Sequence, residues 1–447
     1  MKVNRIVALV MAVLLLMTAM SVLAEEVQAE ANTASDAMKL EQVVILSRHN
    51  IRSPLATKGS VLEEITPHQW FDWTSAASEL SLRGAMLETT MGQYFRLWLE
   101  DEGLFPENYR PEVGAVRFYA NALQRTRATA HYFSAGLLPV VDVAVEQHVE
   151  YNTVDPVFVP VLTFMTDEYA EDVRREVAQL GGIVGMRGIS AGLHGPMEML
   201  MDVVDMEDSE IYQSGKYGNF LEDETQLLLE QGEEANLSGP IKIANSLIDS
   251  MALQYYEEPD ETKAAFGHKL TLADWQYMHT IADTYSDMLF TAPLVSVNAA
   301  HPMLQELYSE INTEGRKFTF LCGHDSTIAS TLAALGVEDY LLPEAIEQRT
   351  PIGVKLVIER WLDGSNEVWY NVSLVYQSVD QLRGITPLSL ENPPMKYQLS
   401  FKGVKTNADG MIAGEDFMNL MRCAIDAYDA LVERYGAADT VELAPAA

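Results

Sequence analysis

The sequence predicts an α/β protein in which helices flank a sheet and a mostly helical segment interrupts the chain. Short, continuously apolar runs such as Gln42–Ser47 and Phe318–Gly323 are typical of strands buried within a sheet. These runs alternate with stretches of helical spacing, which favours an α/β sheet. From about residue 160 to residue 293, strand-like runs are few and helical runs are many.

The limits of the apolar runs set the predicted elements. Strands are predicted at Gln42–Ser47, Val116–Ala120, Phe318–Gly323, Val354–Trp361 and Val368–Gln377. Helices are predicted at Leu80–Leu99, Ala122–Gly136, Pro240–Tyr256, Leu272–Phe290, Thr327–Leu335 and Glu415–Tyr435. Asn121 and Asp325 are suited to cap two of these helices, because short polar side chains accept hydrogen bonds from a first turn. We therefore predict a core of residues 40–159 and 294–436, with residues 160–293 inserted as a helical domain.

The composition excludes several classes of protein. The 447 residues include 65 acidic and 30 basic side chains, for a formal charge of -35, and 48% are hydrophobic. That apolar share is too high for intrinsic disorder. The acidic excess argues against nucleic acid or an anionic membrane as a partner, because both require a basic face.

The N-terminus has the pattern of a secretory signal peptide. Lys2 and Arg5 precede a long apolar run that ends in the small-residue sequence Val22–Ala24. We predict that residues 1–24 are a cleaved signal peptide and that the mature protein is periplasmic or secreted, without a membrane anchor. The alternative is an uncleaved anchor, since Ile6–Leu23 is just long enough to span a bilayer.

Secretion permits disulfide bonds, yet the chain contains only Cys322 and Cys423. At most one intramolecular bridge can form. The sequence is equally consistent with a bridge and with two free thiols, so stability depends mainly on the core.

The sharpest motif is Arg48-His49-Asn50-Ile51-Arg52, which follows the first predicted strand directly. Ligands of open α/β sheets bind beyond the carboxyl ends of strands. Two guanidinium groups match the oxygens of phosphate or carboxylate. The motif therefore predicts an oxyanion cradle with a nucleophile or base, His49, at its centre.

Two further segments follow predicted strands and contain groups of complementary chemistry. His324 and Asp325 lie between a buried strand and a helix, where they can supply a hydrogen-bond donor and a carboxyl group for proton transfer. Arg125 or Arg127 is positioned to complete a clamp of three arginines. The alternative for this pair is an ordinary solvated surface.

These motifs, in this order and spacing, resemble the histidine acid phosphatases, a branch of the histidine phosphatase superfamily that includes periplasmic acid phosphatases and phytases. The resemblance extends over roughly residues 41–435 and is greatest to the subgroup of glucose-1-phosphatases. It implies a mixed sheet flanked by helices, with a phosphoglycerate-mutase-like core and an inserted helical cap domain. The segments that carry it include Arg48–Pro54, Leu123–Thr126, Gly323–Asp325, Asn245–Asp249 and Thr350–Gly353.

The resemblance also implies a role for each motif residue. His49 would attack phosphorus and form a phosphohistidine. Asp325 would protonate the leaving alcohol and then help to activate water. Four side chains would hold the phosphate oxygens: Arg48, Arg52, Arg125 and His324. No metal or other cofactor is implied.

Departures from the phytase-like pattern indicate the subgroup. Many phytase-like members carry Gly and Thr where this chain has Asn50 and Leu55, and both residues here are typical of the glucose-1-phosphatases. In that subgroup an acidic residue shortly before a Ser-Gly-Pro segment faces the substrate hydroxyls. Glu234 is the candidate here, with a solvated loop glutamate as the alternative.

The predicted function is hydrolysis of small phosphate monoesters, such as glucose 1-phosphate. The alternatives are a phytase acting on inositol polyphosphates and, less favoured, a non-catalytic periplasmic sugar-phosphate-binding protein. The acidic composition favours the ester of a neutral sugar, unless the insertion adds cations such as Lys242 at the mouth of the pocket.

Two other patterns carry less weight. Gly188–Gly192 reads G-x-S-x-G, but the glycine-rich sequence before it is a poor candidate for the strand that a serine hydrolase requires. The nine histidines lack the spacing of a metal site.

Overall fold

The computed structural model describes residues 38–55, 60–218 and 220–436 of the protein. The predicted signal peptide, residues 1–24, lies outside these ranges. Among the helices of the described ranges, none is both long enough and apolar enough to cross a membrane.

A mixed sheet forms the centre of the protein. Its strands are β1 (Lys39–Arg48), β2 (Val116–Ala120), β5 (Phe318–Gly323), β6 (Lys355–Leu362), β7 (Val368–Tyr376), β8 (Met395–Gln398) and β9 (Ile412–Ala413). The order is β2-β5-β1-β6-β7-β8, and β9 pairs with β7. Strands β2, β5 and β1 are parallel, whereas β6 to β9 pair antiparallel with their neighbours. Strand β5 thus lies between two strands that precede it by some 200 residues or more.

The helices, in chain order, are α1 (Val61–Glu64), α2 (Leu82–Asp101), α3 (Gln124–Leu137), α4 (Asp167–Gln179), α5 (Met186–Gly192), α6 (His194–Val203), α7 (Glu210–Gln213), α8 (Pro240–Glu257), α9 (Glu261–Ala264), α10 (Leu272–Leu289), α11 (Pro293–Ala299), α12 (His301–Asn312), α13 (Asp325–Ala334), α14 (Val379–Gly384) and α15 (Gly414–Tyr435). They cover both faces of the sheet, which is the layering that parallel strands require.

Strand β1 is buried on both faces. Val43 and Ile45 belong to an apolar cluster with residues of α2 and α3, such as Phe133. Val44 and Leu46 belong to a second cluster, with residues of α12, α13 and α15. Because successive side chains of a strand point to opposite faces, this explains why β1 reads as a continuous apolar run.

Residues 160–293 form mostly helices, α4 to α10, together with 3-10 turns. Most of their apolar side chains belong to a third core cluster, which contains Tyr169, Ile248 and Trp275. The segment also contains a two-stranded antiparallel hairpin, β3 (Gln226–Leu228) and β4 (Asn236–Ser238), which the sequence patterns did not predict.

Two predicted helix caps are wrong. Leu123, not Asn121, precedes helix α3, and Asn121 instead points inward to His324. His324 is the N-cap of α13, and Asp325 is its first helical residue. Both polar side chains are thereby free for contacts other than capping.

Both cysteines are free thiols. Cys322 is buried within β5, and Cys423 is exposed on α15. No bridge therefore constrains the fold within the described ranges.

Candidate active site

The motif that begins at Arg48 and the pair His324 and Asp325 lie close together because they follow the neighbouring parallel strands β1 and β5. In the register of β1 and β5, Arg48 lies opposite Gly323, so His49 and His324 emerge side by side. The backbone N–H of His49 donates to the carbonyl of Gly323 at 3.1 Å. The two imidazole rings lie 5.5 Å apart, centroid to centroid. The sheet thus brings together residues that are far apart in the sequence.

A cavity of about 1180 Å³ opens at this edge of the sheet. It is lined by all the predicted site residues: Arg48, His49, Arg52, Arg125, Glu234, His324 and Asp325. The guanidinium of Arg127 instead lies over the ring of Tyr151, 5.5 Å from its centroid. Of the two arginines, Arg125 is therefore the one that lines the cavity.

His49 is held as a neutral imidazole with one free nitrogen. A carbonyl can only accept, so the 2.9 Å contact between Nδ1 and the carbonyl oxygen of Asn50 places the ring proton on Nδ1. Burial, followed by the positive charge of Arg125 and Arg52, holds the pKa of His49 well below its usual range. The unprotonated Nε2 is therefore available as a nucleophile.

Two arginines of the first motif are anchored by acids that the sequence reasoning missed. Arg48 donates from Nη1 to the carbonyl of Thr350 at 2.6 Å and lies 3.6 Å from Glu347. Arg52 pairs through Nη2 with Asp249 at 3.1 Å. Glu347 and Asp249 arrive by tertiary packing of distant segments, and no local spacing indicates them.

The three arginines retain donors for an anion. The Nε atoms of Arg48, Arg52 and Arg125 are buried without a hydrogen-bond partner among the described residues. Arg125 also has no ion-pair partner in the part of the chain that the structure describes, and burial, followed by the charge of Arg52, lowers its pKa to about 10. Such a site favours an anionic ligand, which would supply the missing negative charge.

Asn121 fixes the ring of His324. The Asn121 side-chain oxygen accepts from the backbone N–H of Asp155 at 3.3 Å, which turns its amide nitrogen toward His324 Nε2 at 2.7 Å. The imidazole therefore carries its hydrogen on Nδ1. Burial and the charge of Arg125 lower the pKa of His324 to about 3, so the ring is neutral.

Asp325 is half-exposed to the cavity and lies 3.4 Å from Arg48. Burial opposes ionisation of its carboxyl group, but the positive charges of Arg48 and Arg52 outweigh that effect and lower its pKa. In the free protein the group is thus a carboxylate beside the phosphate cradle.

Glu234 lies between β3 and β4 and reaches Asp325 from the helical segment. Its carboxylate accepts a 3.4 Å hydrogen bond from the hydroxyl of Ser326. Burial and the neighbouring charge of Asp325 raise the pKa of Glu234 to about 7. It is therefore a cavity residue rather than a solvated loop glutamate.

Outside the arginine cradle the cavity wall is acidic. Its carboxylates are Glu234, Asp249, Asp283, Asp287, Asp325, Glu338, Asp339 and Glu347. Its cations beyond the cradle are Arg349, which pairs with Asp287, and Lys402. Lys242 is exposed on α8 and does not line the cavity.

The G-x-S-x-G pattern lies outside this cavity. Gly188–Gly192 lies inside helix α5, whereas a serine-hydrolase elbow requires a turn between strand and helix. Within the described ranges, no group of His, Cys, Asp or Glu residues is arranged to hold a metal ion.

A neutral histidine in an arginine cradle, with a histidine and an aspartate just beyond the end of the adjacent parallel strand, is suited to binding and cleaving a phosphate monoester. The chain belongs to branch 2 of the histidine phosphatase superfamily, and the model of that family matches residues 39–169. The enzyme is accordingly a phosphoric monoester hydrolase, and the predicted family is confirmed.

Named relatives are similar along most of the chain. A glucose-1-phosphatase of Providencia rettgeri is 36% identical over 395 residues, which cover 87% of this chain and 93% of the relative. A glucose-1-phosphatase of Salmonella typhimurium is 35% identical over 401 residues, covering 88% and 95%. The structure of a Hafnia alvei phytase in complex with tartrate has a TM-score of 0.80 at 26% identity, covering 88% of this chain and 98% of that one. The predicted fold class, a mixed sheet flanked by helices with a helical domain, is confirmed.

Proposed function

We propose that this phosphatase acts on monoesters of uncharged sugars, such as glucose 1-phosphate, through a phosphohistidine at His49. The observation that carries the proposal is the state of His49: buried, neutral, with Nδ1 bonded to a carbonyl and Nε2 free among three arginines. A protein that only bound sugar phosphates would need neither a free Nε2 nor a carboxyl group beside it.

The first step forms the phosphoenzyme. Nε2 of His49 attacks phosphorus while the bond from phosphorus to the alcohol oxygen breaks, and Asp325 gives its proton to that oxygen. Nδ1 keeps its hydrogen and continues to donate it to the carbonyl oxygen of Asn50. In the second step, water attacks phosphorus, the Asp325 carboxylate accepts its proton, and the bond to Nε2 breaks to release inorganic phosphate. Arg48, Arg52, Arg125 and His324 hold the phosphate oxygens through both steps.

Substrate binding favours protonation of Asp325. In the free protein the arginines lower the pKa of Asp325. A bound phosphate group offsets their charge and lies next to the carboxylate, so the pKa of Asp325 rises and a proton is taken up. Asp325 is then in the form that protonates a leaving group.

The choice of a sugar monophosphate rests on the cavity wall and on the relatives. Eight carboxylates line the cavity against five cations, three of which hold the phosphate. A polyphosphate would meet this wall with several more negative charges. Glu234, protonated below about pH 7, is placed to bond sugar hydroxyls. The structural similarity to phytases supports phytate as the second candidate.

We also propose the domain division and the location. The nucleophile, the cradle and Asp325 belong to the core of residues 40–159 and 294–436, whereas Glu234 and Asp249 belong to the inserted residues 160–293. The cleft between these two parts would hold the sugar. The sequence of residues 1–24 supports export to the periplasm or beyond.

The test is turnover of p-nitrophenyl phosphate at acid pH in excess EDTA. The wild-type protein should hydrolyse it, and His49→Ala should abolish turnover while keeping the fold, as judged by circular dichroism. Wild type quenched in alkali during turnover should carry an alkali-stable, acid-labile phosphoryl group on His49. Unchanged turnover by His49→Ala would refute the mechanism, and tight binding without any turnover by wild type would favour a binding protein.

A further inference from the structure

A fully buried ion pair lies behind the proposed nucleophile and outside the cavity. Nζ of Lys355 on β6 contacts Oε1 of Glu88 on α2 at 2.9 Å, and both side chains have 0% exposure. Neither residue lines the active-site cavity. Removing two charges from water is costly, and apolar residues in their place are often as stable or more stable. Stability alone therefore does not explain this pair, which suggests a further role.

Asn50 connects this pair to His49. Its side-chain amide donates from Nδ2 to Glu88 Oε1 at 2.7 Å, and its Oδ1 accepts the backbone N–H of Ile51 at 2.8 Å. That N–H and the carbonyl of Asn50 belong to one planar peptide group. The carbonyl accepts Nδ1–H of His49 at 2.9 Å. The Asn50 side chain thus fixes the N–H end of this peptide group. The carbonyl end of the same group positions the imidazole ring of His49.

A second connection runs through Gly353. Lys355 donates to the carbonyl of Gly353 at 2.7 Å, and the N–H of Gly353 donates to the carbonyl of His49 at 3.1 Å. Gly353 has a φ of +69°, and a Cβ at this position would lie 2.5 Å from Nδ2 of Asn50. Glycine is therefore needed both for the turn and for the approach of the Asn50 amide.

We propose that Asn50 is a positioning residue for phosphoryl transfer and that the Glu88–Lys355 pair is its anchor. The proposal rests on the proposed function, in which His49 is the nucleophile. By fixing the peptide between residues 50 and 51, Asn50 fixes both the tautomer of His49 and the direction of its Nε2 lone pair. Misplacing a reacting atom by about 1 Å can lower the rate about 10²-fold. A small shift of this peptide group would therefore lower the rate of phosphoryl transfer.

The first test replaces the whole anchor. In the double variant Glu88→Leu with Lys355→Met, both charges become apolar groups of similar size, while Asn50 Nδ2 and the Gly353 carbonyl lose one partner each. The midpoint of thermal unfolding should therefore fall only modestly. The proposal expects kcat for p-nitrophenyl phosphate to fall about 10-fold, with KM within about two-fold because the arginines still hold phosphate. A folded double variant with wild-type kcat would overturn the proposal.

The second test applies if the double variant does not fold. Asn50→Ala removes both side-chain hydrogen bonds and should lower kcat about 10- to 100-fold at nearly constant KM. The matched control is Asn298→Ala, since Asn298 is also fully buried and bonds the backbone of Thr163 and Phe164. The control should lose comparable stability but keep kcat. Equal kcat in the two variants would overturn the proposal.

The phosphoenzyme separates this proposal from the mechanism on which it rests. Phosphorus NMR of denatured, quenched wild type should show phosphate on Nε2 of His49 alone, and Asn50→Ala should show a smaller burst or phosphate on both ring nitrogens. Wild type without any phosphohistidine would refute the proposed function. A normal phosphoenzyme and an undiminished burst in Asn50→Ala would refute only the role of Asn50.

Discussion

The floor and the wall of the active-site cavity have opposite charge. The floor carries Arg48, Arg52 and Arg125 with buried donors that lack partners among the described residues. Of the eight wall carboxylates, Asp249, Asp325 and Glu347 pair with Arg52 or Arg48, and five more line the cavity. Salt limits the range of each charge to about 8 Å under physiological conditions. A protein with a formal charge of -35 can therefore bind an anion, provided that the negative charge of the ligand is confined to one end.

The largest effect is expected from removing charge at the floor. Arg125→Ala should lower kcat/KM for p-nitrophenyl phosphate by about 10² to 10³-fold, because one preorganised donor to the transferring phosphoryl group is lost. Arg127→Ala is the matched control, since Arg127 lies on the same helix but over Tyr151. Similar losses in both variants would show that general surface charge, rather than a local cradle, binds the substrate.

The next effect distinguishes the acid from the cradle. Asp325→Asn cannot protonate a leaving group, so an alkyl phosphate should lose about 10²-fold or more in kcat, while p-nitrophenyl phosphate, whose leaving group needs little protonation, should lose much less. The measurement is kcat for both substrates in wild type and variant. Equal losses would mean that Asp325 serves only to orient Arg48, which it contacts at 3.4 Å.

A smaller effect is expected from changing the charge of the wall. Glu338 and Asp339 are exposed and line the cavity, so replacing both with Lys should raise kcat/KM for phytate about 10-fold and leave glucose 1-phosphate within about two-fold. The gain should shrink at high salt. Glu107→Lys with Glu112→Lys makes the same change in net charge at exposed positions outside the cavity. An equal gain in this control would assign the selectivity to the total charge.

The smallest effect concerns pH. The pKa of Glu234 is raised to about 7, so this group is neutral in acid and ionised above neutrality. Ionisation adds a negative charge beside Asp325 and the bound phosphate, so KM for glucose 1-phosphate should rise about three-fold between about pH 6 and about pH 8. Glu234→Gln should flatten this rise, whereas the neighbouring exposed Glu233→Gln should not. A rise that persists in Glu234→Gln would assign it to another group.

The same shift has a consequence for stability. The pKa of Glu234 lies above the value of 4.5 for a free glutamate, so the folded protein holds this proton more tightly than the unfolded chain. Its contribution to stability is complete below about pH 4.5 and is lost as the pH rises to about 7. Thermal unfolding of Glu234→Gln should therefore depend less on pH across this window than that of wild type.

Sequence patterns predicted the parallel part of the sheet well. The bounds of Val116–Ala120 and Phe318–Gly323 agree with the structure to the residue, because each apolar run ends sharply at polar residues. Since carboxyl ends of parallel strands share an edge, the grouping of His49 with His324 could also be expected.

Features that depend on tertiary packing were not predictable in this way. The strands of the hairpin Gln226–Leu228 and Asn236–Ser238 are three residues long, too short to show a period. Asp249 and Glu347 approach the arginines from distant segments. Asn121 is of a residue type that often caps helices, but its side chain instead bonds the buried His324. The assigned roles of the site residues stay predictions until the variants are measured.

The position of β5 in the sheet has a consequence for biosynthesis. Chains emerge from the ribosome N-terminus first. Strands β1 and β2 are thus made long before β5, which must enter between them and which is followed directly by His324 and Asp325. A chain that stops before residue 318 lacks both His324 and Asp325. If Asp325 is the acid, such incomplete copies should have no phosphatase activity, so activity requires at least nearly three-quarters of the chain.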